Sequence, residues 1–279
     1  MSPQSVRMQS SVMVEFSPIR DLFKAPVIGC RSLSSSTIDI WPVTLTGSDA
    51  EYGRCFDWLD QQERERAARF LRRQDRERYV LAHGGLRFIL GLYLGLAPAR
   101  IEFSSSSTGK PTLAGLGPEH GALTFNLSHA HGNAMVAIAQ GREVGVDLEM
   151  IREDVEVLKL AERFFSDREQ CHLQSTVPES RSREFFHYWV AKEAVLKAEG
   201  VGLASLQGCE INWSNGSDRD GVAVRLAGRS HLPWVVRTLD CGYGWVGAVA
   251  AQGSEWVITP CGWTEVKAGA KGESQQTPE

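Results

Sequence analysis

Residues 185–197 read FFHYWVAKEAVLK, and the interpretation of the whole chain starts from them. Good helix formers fill this stretch, and Gly200 lies just beyond it, where helices commonly end on glycine. Residues three and four positions apart share one face of a helix. That face comprises Phe186, Trp189, Val190, Glu193, Ala194 and Lys197. A face suited to packing therefore also carries two opposite charges.

Two interpretations of this charged pair are open. Glu193 and Lys197 are spaced as a surface ion pair, which contributes about 0.3–0.5 kcal/mol to helix stability. Alternatively, both side chains face a group that attracts both signs of charge. A magnesium–phosphate group is such a group, and it would offset the large cost of burying the two charges.

Composition limits the classes of protein that the chain can represent. The 279 residues are 42% hydrophobic, which is enough for a sizeable core. The net charge of −4 gives no overall field that favours nucleic acid or a membrane surface. The six cysteines are scattered without a Cys-x-x-Cys pair, which predicts a reducing, cytoplasmic setting. No apolar run reaches the roughly 18 residues of a membrane span.

The order of the predicted elements indicates two similar halves. Helices followed by strands occur twice, which predicts an α+β fold with an N-terminal half at 37–150 and a C-terminal half at 151–262. We expect residues 1–36 to form a flexible extension, with Met8 or Met13 as alternative starts. Residues 263–279 are expected to be a disordered tail.

Residues 144–150 read VGVDLEM, a strand pattern with two carboxylates. Asp147 and Glu149 are two positions apart and therefore point to the same face of a strand. Neighbouring carboxylates repel each other unless a cation lies between them, and Mg2+ prefers such oxygen ligands. The sequence thus predicts a metal site, with an exposed strand face as the alternative.

Three further features are compatible with anion binding. Ser128 and His129 follow a strand and are placed to bind an anion together, or to be ordinary satisfied polar groups. The turn Gly109-Lys110-Pro111 supplies a cation, or is an ordinary tight turn with no further role. Seven arginines lie between Arg64 and Arg78, alternating with acids. They indicate a solvated, salt-bridged face, a phosphate site, or a surface for an acidic partner.

Together these motifs resemble the 4′-phosphopantetheinyl transferases of the surfactin-synthetase-activating (Sfp) type. The GVDLE motif at 145–149 is followed about forty residues later by WVAKEAVLK at 189–197. Other motifs fall in the family's order and spacing: Gly109-Lys110-Pro111, Asn126-Leu127-Ser128-His129, Arg163-Phe164-Phe165-Ser166 with Glu169, and Gly200-Val201-Gly202-Leu203. The resemblance is strong over about residues 60–205 and weaker to about 250.

The resemblance implies two pseudo-twofold-related α+β halves with the active site in the cleft between them. It implies Mg2+-dependent transfer of the 4′-phosphopantetheine group of coenzyme A (CoA) to a serine of an apo acyl or peptidyl carrier protein. The products are the holo carrier protein and adenosine 3′,5′-bisphosphate. The carriers of such enzymes serve fatty-acid, polyketide or nonribosomal-peptide synthesis, and chains of this form usually act as monomers.

The resemblance also assigns roles within the reaction. Asp147, Glu149 and Glu193 would bind Mg2+ against the CoA pyrophosphate. Glu193 also matches the proposed general base, although a water on the metal is an open alternative. Lys192 and Lys197 would bind the pyrophosphate, with Lys197 placed to stabilise or protonate the leaving oxygen.

The remaining assignments concern the nucleotide part of CoA. Lys110 and Pro111 would line the adenine–ribose site, and Ser128, His129 and Arg78 would bind phosphates, with the 3′-phosphate as the target of His129 and Arg78. One departure lies in the first helix, where the family carries two cations three residues apart. The corresponding positions here are Glu63 and Arg66, so Arg66, Arg69 or Arg72 would replace the missing cation.

Two rival functions use the same residues. A Mg2+-dependent nucleotide or CoA pyrophosphohydrolase would share the carboxylates but would need no carrier protein. A non-catalytic module would use the arginine-rich region to bind an acidic partner. Nucleic acid is not favoured, because the basic residues are mixed with acids and no aromatic side chains interleave with them.

Overall fold

The computed structural model describes residues 11–23, 31–106, 108–115, 122–213, 221–224, 226–227 and 233–261. Its helices are α1 (Ile19–Leu22), α2 (Asp49–Trp58), α3 (Gln61–Ala68), α4 (Arg73–Leu94), α5 (Val157–Phe164), α6 (Asp167–Ser175) and α7 (Pro178–Glu199). Among the described residues, two short 3-10 helices span Pro98–Arg100 and Leu203–Ser205. None of these described helices has the length and hydropathy that crossing a bilayer requires.

The strands within the described ranges form two five-stranded sheets and one small hairpin. The first sheet contains β2 (Ser17–Pro18), β3 (Thr37–Thr44), β6 (Leu123–Ala130), β7 (Asn133–Gln140) and β12 (Val257–Pro260). The second contains β1 (Val12–Met13), β8 (Val144–Met150), β9 (Val222–Val224), β10 (Trp234–Asp240) and β11 (Trp245–Gln252). The hairpin pairs β4 (Phe103–Ser105) with β5 (Pro111–Leu113).

The alternation of side chains along β3 shows how the layers are built. Ile38 and Ile40 lie in a core shared by the two sheets, whereas Trp41 and Val43 lie in a core shared with α4. Strands of the second sheet divide their side chains in the same way, between the shared core and the core beneath α7. The two sheets therefore pack face to face, with a 22-residue helix on each outer side. The predicted α+β class is confirmed.

Both halves exchange strands, which differs from the predicted boundaries. Strand β8, assigned above to the N-terminal half, pairs with β11 in the second sheet. Strand β12, near the end of the C-terminal half, pairs with β3 in the first sheet. The second sheet therefore begins at Val144, before the predicted boundary at residue 150.

The first described segment is not a flexible extension over residues 12–22. Strand β1 pairs with β10 and strand β2 pairs with β3, so this segment joins both sheets. Val14 is buried between the sheets, and Ile19 and Leu22 are buried in the core beneath α4. These apolar side chains hold the segment against the two cores. The prediction of flexibility for residues 1–36 had relied on the serine-rich composition at 32–36. The predicted tail at 263–279 lies outside the described residues.

Helix α7 approaches β8 closely at Gly145. A Cβ atom at this position would overlap the backbone of Ala194 and Ala198 on α7. Glycine is required here because a helix backbone occupies the space that any side chain would take. The close approach brings the charged face of α7 beside the carboxylates of β8.

We predict that Gly145→Ala destabilises the protein by more than about 3 kcal/mol and lowers activity, because α7 has to move away from β8. Urea denaturation would measure the free energy of unfolding. Gly53→Ala is the matched control, since its Cβ meets nothing within 4 Å in the helix interior. That control should gain about 0.5–1 kcal/mol. Equal stability of Gly145→Ala and wild type would contradict the packing argument.

Candidate active site

Asp147 lies at the meeting point of β6, β8 and α7 and is 4% exposed. Its Oδ1 atom accepts a hydrogen bond from Lys197 Nζ at 2.6 Å and another from Ser128 Oγ at 2.8 Å. Lys197 Nζ also donates to Ser128 Oγ at 2.9 Å. One residue from each of three elements thus forms a closed polar triangle. It joins the two sheets to the long helix of the C-terminal half.

The second carboxylate oxygen of Asp147 has a different environment. Asp147 Oδ2 is buried and has no hydrogen-bond partner among the described residues. A buried ionised oxygen without a partner is costly, so this atom is suited to accept a cation. In the described part of the chain, no three His, Cys, Asp or Glu side chains already stand together as a metal site.

Glu149 and Glu193 lie around the same carboxylate. Burial, followed by the charge of Asp147, raises the pKa of Glu149 to about 7. Burial, followed by the charges of Asp147 and Glu149, raises the pKa of Glu193 to about 7, while Lys197 acts in the opposite direction. The three carboxyl groups therefore interact electrostatically, and Glu149 and Glu193 bind protons more readily than usual. Mg2+ would relieve this repulsion, so the donor set fits the ion.

A group of cations surrounds His129 on the other face of β6. The surrounding protein, followed by the positive charges of His83, Lys197, Arg66 and Arg78, lowers the pKa of His129 to about 4. The His129 side chain is nevertheless exposed to solvent, so an anion can reach it. A neutral imidazole among cations is suited to receive a phosphate dianion, which would stabilise its protonated form.

Ser128 and His129 do not act on one common group. Ser128 points toward Asp147, whereas His129 points toward the α3–α4 side, as successive strand residues must. The proposed joint binding of one anion by both side chains is therefore not supported by their positions.

Glu63, the apparent departure from the family pattern, is a structural residue. It caps α3 together with Asp60, and its Oε2 accepts a hydrogen bond from the fully buried Arg87 at 2.7 Å. Its Oε1 lies 2.9 Å from Nδ1 of His83. His83 was missed by the sequence analysis. The feature of the sequence that could have indicated His83 is its position four residues after Tyr79, on the same face of the helix. The two rings stack with their centroids 4.1 Å apart.

Of the three arginines considered for the missing cation, Arg66 is the one whose charge acts on His129. Its guanidinium lies 5.8 Å from the centre of the Tyr79 ring, and its charge acts on His129. Arg69 and Arg72 are exposed and are not among the charges that act on His129. Of the three candidates for the missing cation, the contacts thus favour Arg66.

Lys192 has no access to a pyrophosphate, which corrects the role implied by the resemblance. Its side chain is fully buried, and Nζ lies 2.7 Å from Glu169 Oε2. Nζ also donates to the carbonyl oxygens of Leu206 at 3.0 Å and Cys209 at 2.5 Å. An ammonium group has three donors, and all three are used inside the protein. Lys192 therefore stabilises the C-terminal half.

Lys110 also uses its charge within the protein. Its Nζ pairs with Glu143 at 2.6 Å and donates to the carbonyl oxygens of Val144 and Ala198. The hairpin of the first half thereby holds the start of β8 and the end of α7. Pro111 beside it is exposed, so this turn offers its carbon surface rather than a free cation.

Arg152 is a second residue that the sequence analysis missed. It lies just after β8, its charge acts on Glu149 to favour ionisation, and its guanidinium lies 5.6 Å from the centre of the Phe186 ring. The signal in the sequence was a basic residue three positions after a candidate metal ligand. An exposed cation at this edge suits the approach of an anionic partner.

Comparisons with known proteins match both halves of the chain. Residues 143–252 match the model of the 4′-phosphopantetheinyl transferase superfamily. Residues 45–142 match the model described as 4′-phosphopantetheinyl transferase, N-terminal. The two matches meet between Arg142 and Glu143, just before β8 begins, in agreement with the strand pairing described above.

Similar proteins cover most of the chain. The 4′-phosphopantetheinyl transferase HetI of Nostoc sp. is 39% identical over 225 residues, which are 81% of this chain and 92% of that protein. The 4′-phosphopantetheinyl transferase Sfp of Bacillus subtilis is 29% identical over 73% of this chain and 87% of its own. The L-aminoadipate-semialdehyde dehydrogenase-phosphopantetheinyl transferase of Xenopus laevis is 29% identical over 60% of this chain and 58% of its own.

We predict that stability falls between about pH 4.5 and pH 7 through Glu149 and Glu193. The unfolded chain loses these protons near pH 4.5, whereas the folded protein keeps them to about pH 7. The free energy of unfolding therefore decreases as pH rises through this window, and the loss is complete above it. Glu193→Gln should be more stable than wild type at pH 8 by on the order of 2 kcal/mol, but not at pH 4.5.

Urea denaturation across this range, without divalent ions, would measure the difference. Glu179→Gln, an exposed glutamate on the same helix, is the control and should follow the wild-type pH dependence. Identical pH dependence of Glu193→Gln and wild type would contradict the proposed carboxylate cluster.

We predict that Lys192→Met destabilises the protein by about 3–5 kcal/mol, because Glu169 is left as a buried charge without its cation. The free energy of unfolding would be compared with that of the double variant Lys192→Met/Glu169→Gln, which should recover part of the loss. If Lys192→Met keeps wild-type stability and only weakens CoA binding, Lys192 reaches the pyrophosphate and our correction is wrong.

Proposed function

This chain belongs to the 4′-phosphopantetheinyl transferase superfamily, and from that premise we propose how its residues carry out the reaction. The protein transfers the phosphopantetheine group of coenzyme A to carrier proteins. We propose that the acceptor is a carrier serine and that the other product is adenosine 3′,5′-bisphosphate. We also propose that the reaction requires Mg2+.

One observation supports the proposed site above all others. The carboxylate cluster around the unpartnered Asp147 Oδ2 lies beside a separate cluster of cations around His129. CoA carries a pyrophosphate and a separate 3′-phosphate. A metal-bound pyrophosphate fits the first cluster, and a free phosphate dianion fits the second. Lys197 belongs to both, since it bonds Asp147 and its charge acts on His129.

Asp147, Glu149 and Glu193 would hold the Mg2+ ion. When bound, the ion would neutralise negative charge on the pyrophosphate and on the leaving phosphate. The raised pKa of Glu193, about 7, applies to the site without the ion, because bound Mg2+ would favour the ionised carboxylate and lower this pKa. We assign Glu193 as the group that takes the proton of the carrier serine, with a water on the metal as the alternative.

We propose the following bond changes. The serine oxygen attacks the phosphorus on the pantetheine side of the pyrophosphate, and its proton passes to Glu193. The bond from that phosphorus to the bridging oxygen breaks, so that adenosine 3′,5′-bisphosphate departs. Lys197 lies next to the carboxylate cluster and stabilises the charge that develops on the leaving oxygen.

The nucleotide part of CoA would bind on the α4 side. We assign the 3′-phosphate to His129, Arg78 and Arg66, with His83 as a further donor held by Glu63. The turn at Lys110 and Pro111 lines the adenine–ribose region through its carbon surface. We propose a monomer as the reacting unit.

The carrier protein is proposed by class. Carrier proteins and domains of fatty-acid, polyketide and nonribosomal-peptide synthesis present a serine at the N-terminus of a helix. The exposed Arg152 at the end of β8 is near the carboxylates and is available to such a partner.

We predict that incubation with CoA, Mg2+ and an apo carrier protein adds one phosphopantetheinyl group to the carrier, measured by intact mass. Chelation of the metal with EDTA should prevent the gain. Asp147→Asn should lower the rate about 100-fold or more, because it weakens the metal ligand.

Asp154→Asn, an exposed aspartate that follows the same strand, is the matched control and should keep the wild-type rate. Full activity of Asp147→Asn would exclude the proposed metal site. Hydrolysis of CoA without transfer to any carrier would instead indicate a pyrophosphohydrolase.

A further inference from the structure

Ser128 and His129 are adjacent in the sequence but belong to two different groups of side chains. Ser128 is 5% exposed and contacts Asp147 and Lys197. His129 is exposed on the opposite face of β6, among the cations of the α3–α4 side. The family resemblance places both residues on phosphate, so their separation calls for a different role for Ser128.

The hydrogen-bonding capacity of Ser128 decides what it can bind. A serine hydroxyl has one proton to donate. Ser128 donates that proton to Asp147 Oδ1 at 2.8 Å. Ser128 Oγ in turn accepts a hydrogen bond from Lys197 Nζ at 2.9 Å. While this arrangement holds, the hydroxyl has no proton left for a phosphate oxygen, and its accepting capacity is directed to an ammonium group.

The neighbouring strand contact keeps Ser128 in this position. Asn126 lies two residues earlier on the same face of β6, and its Oδ1 accepts a hydrogen bond from the backbone N–H of Val146 at 2.9 Å. This bond fixes β6 against β8 one residue before Asp147. Ser128 is therefore held opposite the carboxylate by backbone register and not by a mobile loop.

The consequence concerns the orientation of Asp147. Ser128 and Lys197 both engage Oδ1, which leaves Oδ2 buried and without a partner among the described residues. Hydrogen bonds to one oxygen of a carboxylate fix the direction of the other, and such outer contacts tune metal affinity. Resting on the proposed metal site, we propose that Ser128 is a positioning residue that aims Asp147 Oδ2 at the metal ion, and that it does not bind a phosphate of CoA.

Mn2+ provides a direct probe of this role, because its binding is measured by the loss of the free-ion electron paramagnetic resonance signal. In Ser128→Ala we expect the Kd for Mn2+ to rise about tenfold, the lower end of the range for loss of an outer-shell contact. Ser128→Thr keeps the hydroxyl and should bind Mn2+ more tightly than Ser128→Ala. The melting temperature of each variant establishes that it is folded.

The matched control is the adjacent His129→Ala. Binding of CoA and of 3′-dephospho-CoA, each at saturating Mg2+, gives an affinity ratio that reports the 3′-phosphate alone. We expect Ser128→Ala to keep the wild-type ratio and His129→Ala to reduce it. Conversely, His129→Ala should keep the wild-type affinity for Mn2+. The two substitutions thus separate two functions that a general loss of structure would not separate.

Three outcomes would count against the inference. Unchanged Mn2+ affinity in Ser128→Ala would overturn it while leaving the proposed metal site intact. A reduced ratio of CoA to dephospho-CoA affinity in Ser128→Ala would return Ser128 to phosphate binding. A wild-type protein that binds no Mn2+ would overturn both this inference and the metal site under the proposed function.

Discussion

Asp147 carries a carboxylate that is buried where two sheets meet a helix. The surrounding structure therefore has to supply a positive charge and hydrogen-bond donors to this group. Lys197 supplies the compensating charge from α7, and Ser128 supplies a hydroxyl from the other sheet. Lys197 does not reach Asp147 unless α7 lies directly on β8, which the absence of a side chain at Gly145 permits. The geometry of the site therefore depends directly on the packing between α7 and the sheets.

Helix α7 contains two lysines with different roles, Lys192 and Lys197. Lys192 lies four residues after Tyr188 and four before Leu196, on a fully buried stripe, and it neutralises Glu169 inside the C-terminal half. Lys197 lies on the stripe that faces β8. Glu193 directly follows Lys192, and successive side chains on a helix point in directions about 100° apart. Lys192 therefore points into the protein core, whereas Glu193 points toward the carboxylates of β8.

Sequence reasoning predicted the parts of the site that depend on local periodicity. The spacing of Glu193 and Lys197 on a helix and of Asp147 and Glu149 on a strand requires only the repeat of each element, and the structure brings these four residues together. Residues whose role depends on distant partners were not predictable in this way. Glu63 looked like a lost phosphate ligand because its partners, Arg87 and His83, lie on another helix.

The same limit applies to the fold. Two α+β halves follow from the repeated order of elements, but the exchange of strands between them depends on pairing across long stretches of chain. β8 and β12 each carry ordinary strand patterns, and nothing local states which sheet they join. The sequence signal for the two-residue strands β1 and β2 is weaker still, because these strands form only by pairing with the longer strands β10 and β3.

The strand exchange has a consequence for the order in which the protein is assembled. The first sheet receives its edge strand β12 only after residues 257–260 have been made, and β8 finds its partner β11 only after residue 245. The N-terminal half therefore leaves a ribosome with an unpaired strand edge and an uncovered apolar face. Closure of both sheets once residues 245–260 have been made joins them into one cooperative unit, so cutting the chain between the halves would give two aggregation-prone fragments rather than two independent domains.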